Sequence, residues 1–180
     1  MDLERKRELD GLLDFLRKPS ISATGEGINE AADYLASFMR ELGFNGRVES
    51  TEGHPVVRGE VNVGSDRTVL MYNHYDVQPV DPISEWKYPP FSAEITEGKI
   101  FARGASDNKG TLIARLFGVK RLLEEEKLGV NVKFIFEGEE EIGSPHLAAY
   151  VQRTAKELAS SGVLMEAAWT QREGRRSFWA

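Results

Sequence analysis

The stretch Thr68-Val69-Leu70-Met71-Tyr72 decides the fold. Successive side chains of a strand point to opposite faces of a sheet, so a run that is apolar at every position has to be covered from both sides. That predicts a central strand between two layers, as in α/β sheets. Directly after it stand Asn73-His74-Tyr75-Asp76 and a long stretch to Phe91 that contains Pro79, Pro82, Pro89 and Pro90. A loop of that length inside a compact domain usually has a functional role.

The flanks agree with an α/β arrangement. Toward the N-terminus, Val56 to Val63 is a second β-branched run. Before it, Ile28, Ala31, Ala32, Leu35, Phe38, Met39 and Leu42 recur at helical spacing and stop at Gly43, and Leu9, Leu12, Leu13 and Leu16 mark an amphipathic helix ending near Pro19. Toward the C-terminus, short strands around Ala93–Ile95 and Lys99–Ala102 are joined by a Glu97-Gly98 turn. A helix is expected from about Asn108 to Lys127 with Asp107 as its N-cap, then a strand over Val130–Phe136, a helix over Pro145–Leu158 and a strand at Val163–Met165. Two alternations of strand, helix and strand favour parallel central strands.

Composition narrows the class. The chain has 180 residues, near the size of one domain, with 41% hydrophobic and 29% charged residues, enough for both a core and a solvated surface. Its net charge of -6 argues against a nucleic-acid partner, which would need clustered cations. There are no cysteines, which excludes disulfides, thiolate metal sites and a Cys nucleophile; any metal must be held by His, Asp or Glu. No run approaches the roughly 18 apolar residues of a membrane span, and Met1–Leu16 lacks the apolar centre of a signal peptide, so no membrane partner and a cytoplasmic location are expected.

Three polar clusters fall where strands of such a sheet end, the place where open α/β sheets bind ligands. If the chain is still extended at His74-Tyr75-Asp76, residues 74 and 76 face the same side, and Asp76 can orient the imidazole. Asp107-Asn108-Lys109-Gly110 opens a helix, where capping alone would explain the carboxylate. Glu137-Gly138-Glu139-Glu140-Glu141 places four carboxylates in five positions, which repel unless spread into solvent or balanced by a cation. Imidazole plus hard oxygen donors suit zinc, cobalt or manganese in a hydrolytic site.

With these residues in view, the chain resembles a known family. His74-Tyr-Asp-Val-Gln-Pro-Val-Asp-Pro82, Trp86 with Pro89-Pro90-Phe91, Gly98-Lys-Ile-Phe-Ala-Arg-Gly-Ala-Ser-Asp-Asn-Lys-Gly110 and Phe136-Glu-Gly-Glu-Glu-Glu-Ile-Gly-Ser144 are similar to the di-zinc exopeptidase and amidohydrolase family. That family includes carnosinase-like dipeptidases, glutamate carboxypeptidases, acetylornithine deacetylase, succinyl-diaminopimelate desuccinylase and aminoacylase. The motifs keep their order, with His74, Asp107 and Glu140 spaced 33 residues apart. The resemblance implies a three-layer, zinc-exopeptidase-like catalytic domain with a mixed, largely parallel sheet. It implies two divalent metal ions, zinc first and cobalt or manganese as alternatives. His74, Asp107 (bridging, beside a cis peptide to Asn108), Glu141 and, more loosely, Glu166 are the implied ligands. Asp76 stands behind His74, and Glu140 is the implied general base. Metal-bound hydroxide would then attack an amide carbonyl of a dipeptide or of a peptide's C-terminal bond; an N-acyl amino acid is the alternative substrate.

Members of that family are much longer and often homodimeric. Residues 1–180 correspond to the N-terminal part of their catalytic domain, without the lid and dimerisation domain or the returning half that carries a final histidine ligand. Arg176–Trp179 reads as the opening of another strand, so the chain is expected to be a fragment of low or no activity on its own. His54 and His146 match no motif and are expected on the surface. The rival reading is a non-catalytic truncated product that associates through its sheet edge and aromatic tail.

Overall fold

The computed structural model describes residues 3–165, 169–172 and 175–178. Two helices lead, α1 (Leu3–Leu16) and α2 (Ile28–Glu41), followed by strands β1 (Arg47–Glu49), β2 (Val56–Val61) and β3 (Thr68–His74). A short hairpin, β4 (Glu94–Thr96) and β5 (Lys99–Phe101), precedes α3 (Lys109–Glu124), β6 (Asn131–Glu137), α4 (Leu147–Arg153), α5 (Ala155–Leu158) and β7 (Gly162–Leu164). A second hairpin, β8 (Trp169–Arg172) with β9 (Arg175–Phe178), follows and contains most of the strand expected at 176–179.

The main sheet runs β1-β2-β6-β3-β7. β6, β3 and β7 are mutually parallel, β2 is antiparallel to β6, and β1 is antiparallel to β2, so only β2 runs against the rest. β3 lies between β6 and β7, as its doubly apolar run requires. Met71 packs with the core on one face and Leu70 on the other.

Period two distributes the core. Val132, Phe134 and Phe136 of β6 face α1, α2 and α3, where Phe15, Leu35, Leu112 and Leu116 are fully buried. Ile135 and Tyr72 face the other way, onto Tyr150 of α4 and Leu158 of α5. The result is three layers with the sheet in the middle. Every residue of the predicted α2 stripe, from Ile28 to Leu42, is buried, and Gly43 ends the helix at a φ of 88°.

Two local expectations are corrected. The helix anticipated over 145–158 breaks at Thr154, at φ -104° and ψ 13°, where the Tyr150 carbonyl accepts both the Thr154 N–H at 3.0 Å and its hydroxyl at 2.8 Å. Asp107 is not the cap of α3: the N-cap position is Asn108, with no side-chain cap bond, and the Asp107 carboxylate is directed elsewhere.

Candidate metal centre

β3 remains extended through His74, two residues beyond the apolar run, and delivers the imidazole to the carboxyl edge of the sheet. There it is 1% exposed. Its Nδ1 lies 3.1 Å from the Asp76 carbonyl and 3.3 Å from Asp76 Oδ1. Both are acceptors, so the ring proton belongs on Nδ1, and Nε2 is turned outward as a donor of its lone pair. Nε2 stands 3.0 Å from Asp107 Oδ1 and 3.7 Å from Glu140 Oε2.

The acidic turn follows β6 as a single 3-10 turn over Glu140–Ile142, closed by Gly143 at φ 87°. Asp76, fully buried, holds this turn from beneath: its Oδ1 accepts the Glu140 N–H at 3.2 Å and its Oδ2 the Glu141 N–H at 3.0 Å. Gln78 Nε2 donates to Glu141 Oε2 at 2.7 Å and to the Glu141 carbonyl at 3.2 Å.

The four carboxylates of the turn have different fates. Glu137 is buried, accepting from Tyr72 Oη and, at 2.8 Å, from Ser144 Oγ; burial pushes its pKa up. Glu139 is also buried and accepts the His54 N–H at 3.0 Å and pairs with His146 Nδ1 at 3.0 Å. His54 and His146 are therefore half-buried structural partners, not surface residues as expected, and His54 Nε2 also meets the Ser22 carbonyl at 2.9 Å. Only Glu140 and Glu141 turn to His74. Ligand atoms of these three residues lie within 4.8 Å of one another.

Chemistry follows from that convergence. Two ligands held about 2.0–2.2 Å from a tetrahedral zinc stand ~3.3 Å apart, which matches the 3.0 and 3.7 Å separations around Nε2. An imidazole lone pair facing carboxylates is repulsive until a proton or cation sits between them. The donor set therefore fits a divalent metal. Where a proton takes the place between imidazole and carboxylate, the hydrogen bond from His74 Nε2, aided by the charges of His74 and Arg103, holds Asp107 below the usual carboxylate range, whereas burial lifts Glu141 above it. The peptide between Asp107 and Asn108 is cis, as the resemblance implied.

The sequence-derived candidates His74, Asp76, Asp107, Glu140 and Glu141 are thus gathered at one edge of the sheet, while Glu166 lies outside the described residues. Gln78, Arg115 and Lys109 were not singled out from the sequence. Lys109 turns away from the carboxylates: its Nζ is buried, donates to the carbonyls of Lys18 at 2.6 Å and Phe15 at 3.3 Å, and ties α3 to the end of α1. Burial brings its pKa down to about 7. A groove of about 430 Å³ opens between α1 and α3, but none of the clustered carboxylates lines it, so donor chemistry and not concavity locates the site.

Comparison with known proteins points the same way. A family model described as peptidase family M20/M25/M40 matches residues 70–173. The chain is 56% identical to the crystal structure of an M20 family metallo-carboxypeptidase, Sso-CP2, from Sulfolobus solfataricus, with a TM-score of 0.92 over 97% of this chain and 39% of that one. It is 43% identical over 114 residues to a Beta-Ala-His dipeptidase of Homo sapiens, covering 61% of this chain and 22% of the relative. It is 33% identical over 157 residues to the Cys-Gly metallodipeptidase dug1 of Schizosaccharomyces pombe, covering 77% and 32%. The chain thus spans well under half the length of these relatives. Among the described residues, no helix is long and apolar enough to cross a membrane.

Proposed function

This chain belongs to peptidase family M20/M25/M40, and on that footing we propose that it carries most of a two-metal exopeptidase centre that hydrolyses an amide bond in a dipeptide or at the C-terminus of a peptide. The observation that carries the reading is the convergence of His74, Glu140 and Glu141 at the strand ends, with Asp107 against the same imidazole nitrogen. The names of the relatives, dipeptidases and a metallo-carboxypeptidase, favour peptide substrates over N-acyl amino acids. An N-acyl amino acid remains the second substrate class to test. The low coverage of those relatives supports reading residues 1–180 as the N-terminal part of a catalytic domain whose lid and final histidine ligand are encoded elsewhere. A cytoplasmic setting suits a chain without cysteines.

In this proposal His74 Nε2, Asp107, Glu141 and Glu166 would hold the ions. Two divalent ions, zinc first and cobalt or manganese as alternatives, would supply the positive charge that acidifies water and polarises a carbonyl. Asp76 keeps the His74 proton on Nδ1 and sets the height of the acidic turn. Glu140, whose side chain is 38% exposed, takes the proton of the attacking water and passes it to the leaving amine.

Titrating the 180-residue chain with Zn²⁺, Co²⁺ and Mn²⁺ beside Glu141→Ala tests the metal assignment. Binding that is lost in the variant supports it, and an apo wild type at millimolar metal sinks it. A screen of dipeptides and N-acyl amino acids tests the substrate class. In any form of the protein that turns over, Glu140→Gln should keep the metal and lose about 10²-fold to 10⁴-fold in rate.

A further inference from the structure

Arg115 lies on α3 among the buried positions Leu112, Leu116 and Val119, itself half-buried. Its Nη1 donates to the Tyr72 carbonyl at 2.8 Å and to Asn73 Oδ1 at 2.7 Å, and its Nη2 donates to the Met165 carbonyl at 2.7 Å. With Asn73 Oδ1 turned to the guanidinium, Nδ2 of the same amide donates to Asn108 Oδ1. Three of these residues border a proposed ligand in sequence: Asn73 precedes His74, Asn108 follows Asp107, and Met165 precedes Glu166.

The strand pairing explains why a side chain is needed there. The β3–β7 ladder runs from Val69–Gly162 to Met71–Leu164 and stops. Beyond it, the two segments that lead to His74 and Glu166 are bridged by the guanidinium, one nitrogen to each. A planar fork charged at any working pH is suited to hold two backbones at a set separation, which a single ammonium is not.

We infer that Arg115 is a positioning residue of the metal centre: it sets the spacing of the segments bearing His74 and Asp107 against Met165, just past the end of β7, without touching the metal. The inference rests on the metal-centre reading proposed above.

The test is a Co²⁺ titration of the 180-residue chain, read by stoichiometry and visible absorption, with thermal melts of the metal-free forms. Wild type is compared with Arg115→Met, Arg115→Lys and Arg121→Met, the last being an exposed residue of the same helix that pairs with Glu8. Arg115→Met should fold and lose at least about tenfold in affinity for one Co²⁺, with altered absorption, while Arg115→Lys is intermediate and Arg121→Met binds like wild type. Wild-type affinity in a folded Arg115→Met overturns the inference. If Arg115→Met does not fold, Arg115→Lys decides: weakened binding in a folded variant supports the inference, and wild-type binding overturns it. Loss of fold in both variants makes Arg115 a purely structural residue and also overturns it. A wild type that binds no Co²⁺ is a separate failure, that of the metal-centre reading itself, and takes the inference with it.

Discussion

The Asp76 carboxylate accepts the backbone N–H of Glu141 at 3.0 Å across 65 residues of sequence. Through this bond and its companion to Glu140, the loop after β3 sets where the turn after β6 stands, so the histidine and the acidic side of the site are built as one unit.

Asp76→Ala removes two charge-assisted bonds from a fully buried position and leaves two N–H groups without their acceptor. The expected cost is about 2–4 kcal/mol in urea unfolding, together with weakened metal binding. Unchanged stability would show that the turn is held by other contacts.

Metal should stabilise the folded chain. At a hundredfold excess over the dissociation constant, a single site adds about 2.7 kcal/mol, visible as a higher melting temperature that EDTA reverses. His74→Ala and Glu141→Ala should each abolish the shift. A shift that survives both would place the metal elsewhere.

A second charged cluster, around Glu49, should contribute to acid stability. Glu49 is partly buried, which by itself would raise its pKa, but the hydrogen bond from Tyr150 Oη at 2.6 Å and the nearby Arg47 and Arg58 bring it below the usual value. A carboxylate depressed in the folded state contributes stability that is complete above its unfolded pKa of about 4.3 and is lost as pH falls through the folded value. The urea midpoint should therefore drop below about pH 4, and Glu49→Gln should flatten that limb. An unchanged acid limb in Glu49→Gln would refute the assignment.

Gly110→Ala should destabilise α3 at its first turn. An added Cβ would lie 2.0 Å from the Ala105 carbonyl oxygen, which is backbone and cannot rotate away. A cost of about 1–3 kcal/mol is expected, measurable as a melting temperature lowered by roughly 2–12 °C. A variant as stable as wild type would mean that the 104–106 segment yields freely.

By itself the sequence determined what depends on near neighbours. The doubly apolar run 68–72 requires a covered strand and the 3.6-residue stripe of α2 requires a buried helix, because backbone geometry sets these periods. Its motifs also determined the family. Only the tertiary structure decided how the acidic string is used: Glu137 and Glu139 go to Tyr72, Ser144, His54 and His146, whereas Glu140 and Glu141 go to His74. Identical side chains in consecutive positions carry no mark of their partners, since those partners arrive from 7 to 85 residues away. For the same reason the choice of Asp107 between capping α3 and meeting His74, and the bridging position of Arg115 between β3 and Met165, became visible only once the sheet had brought distant segments together.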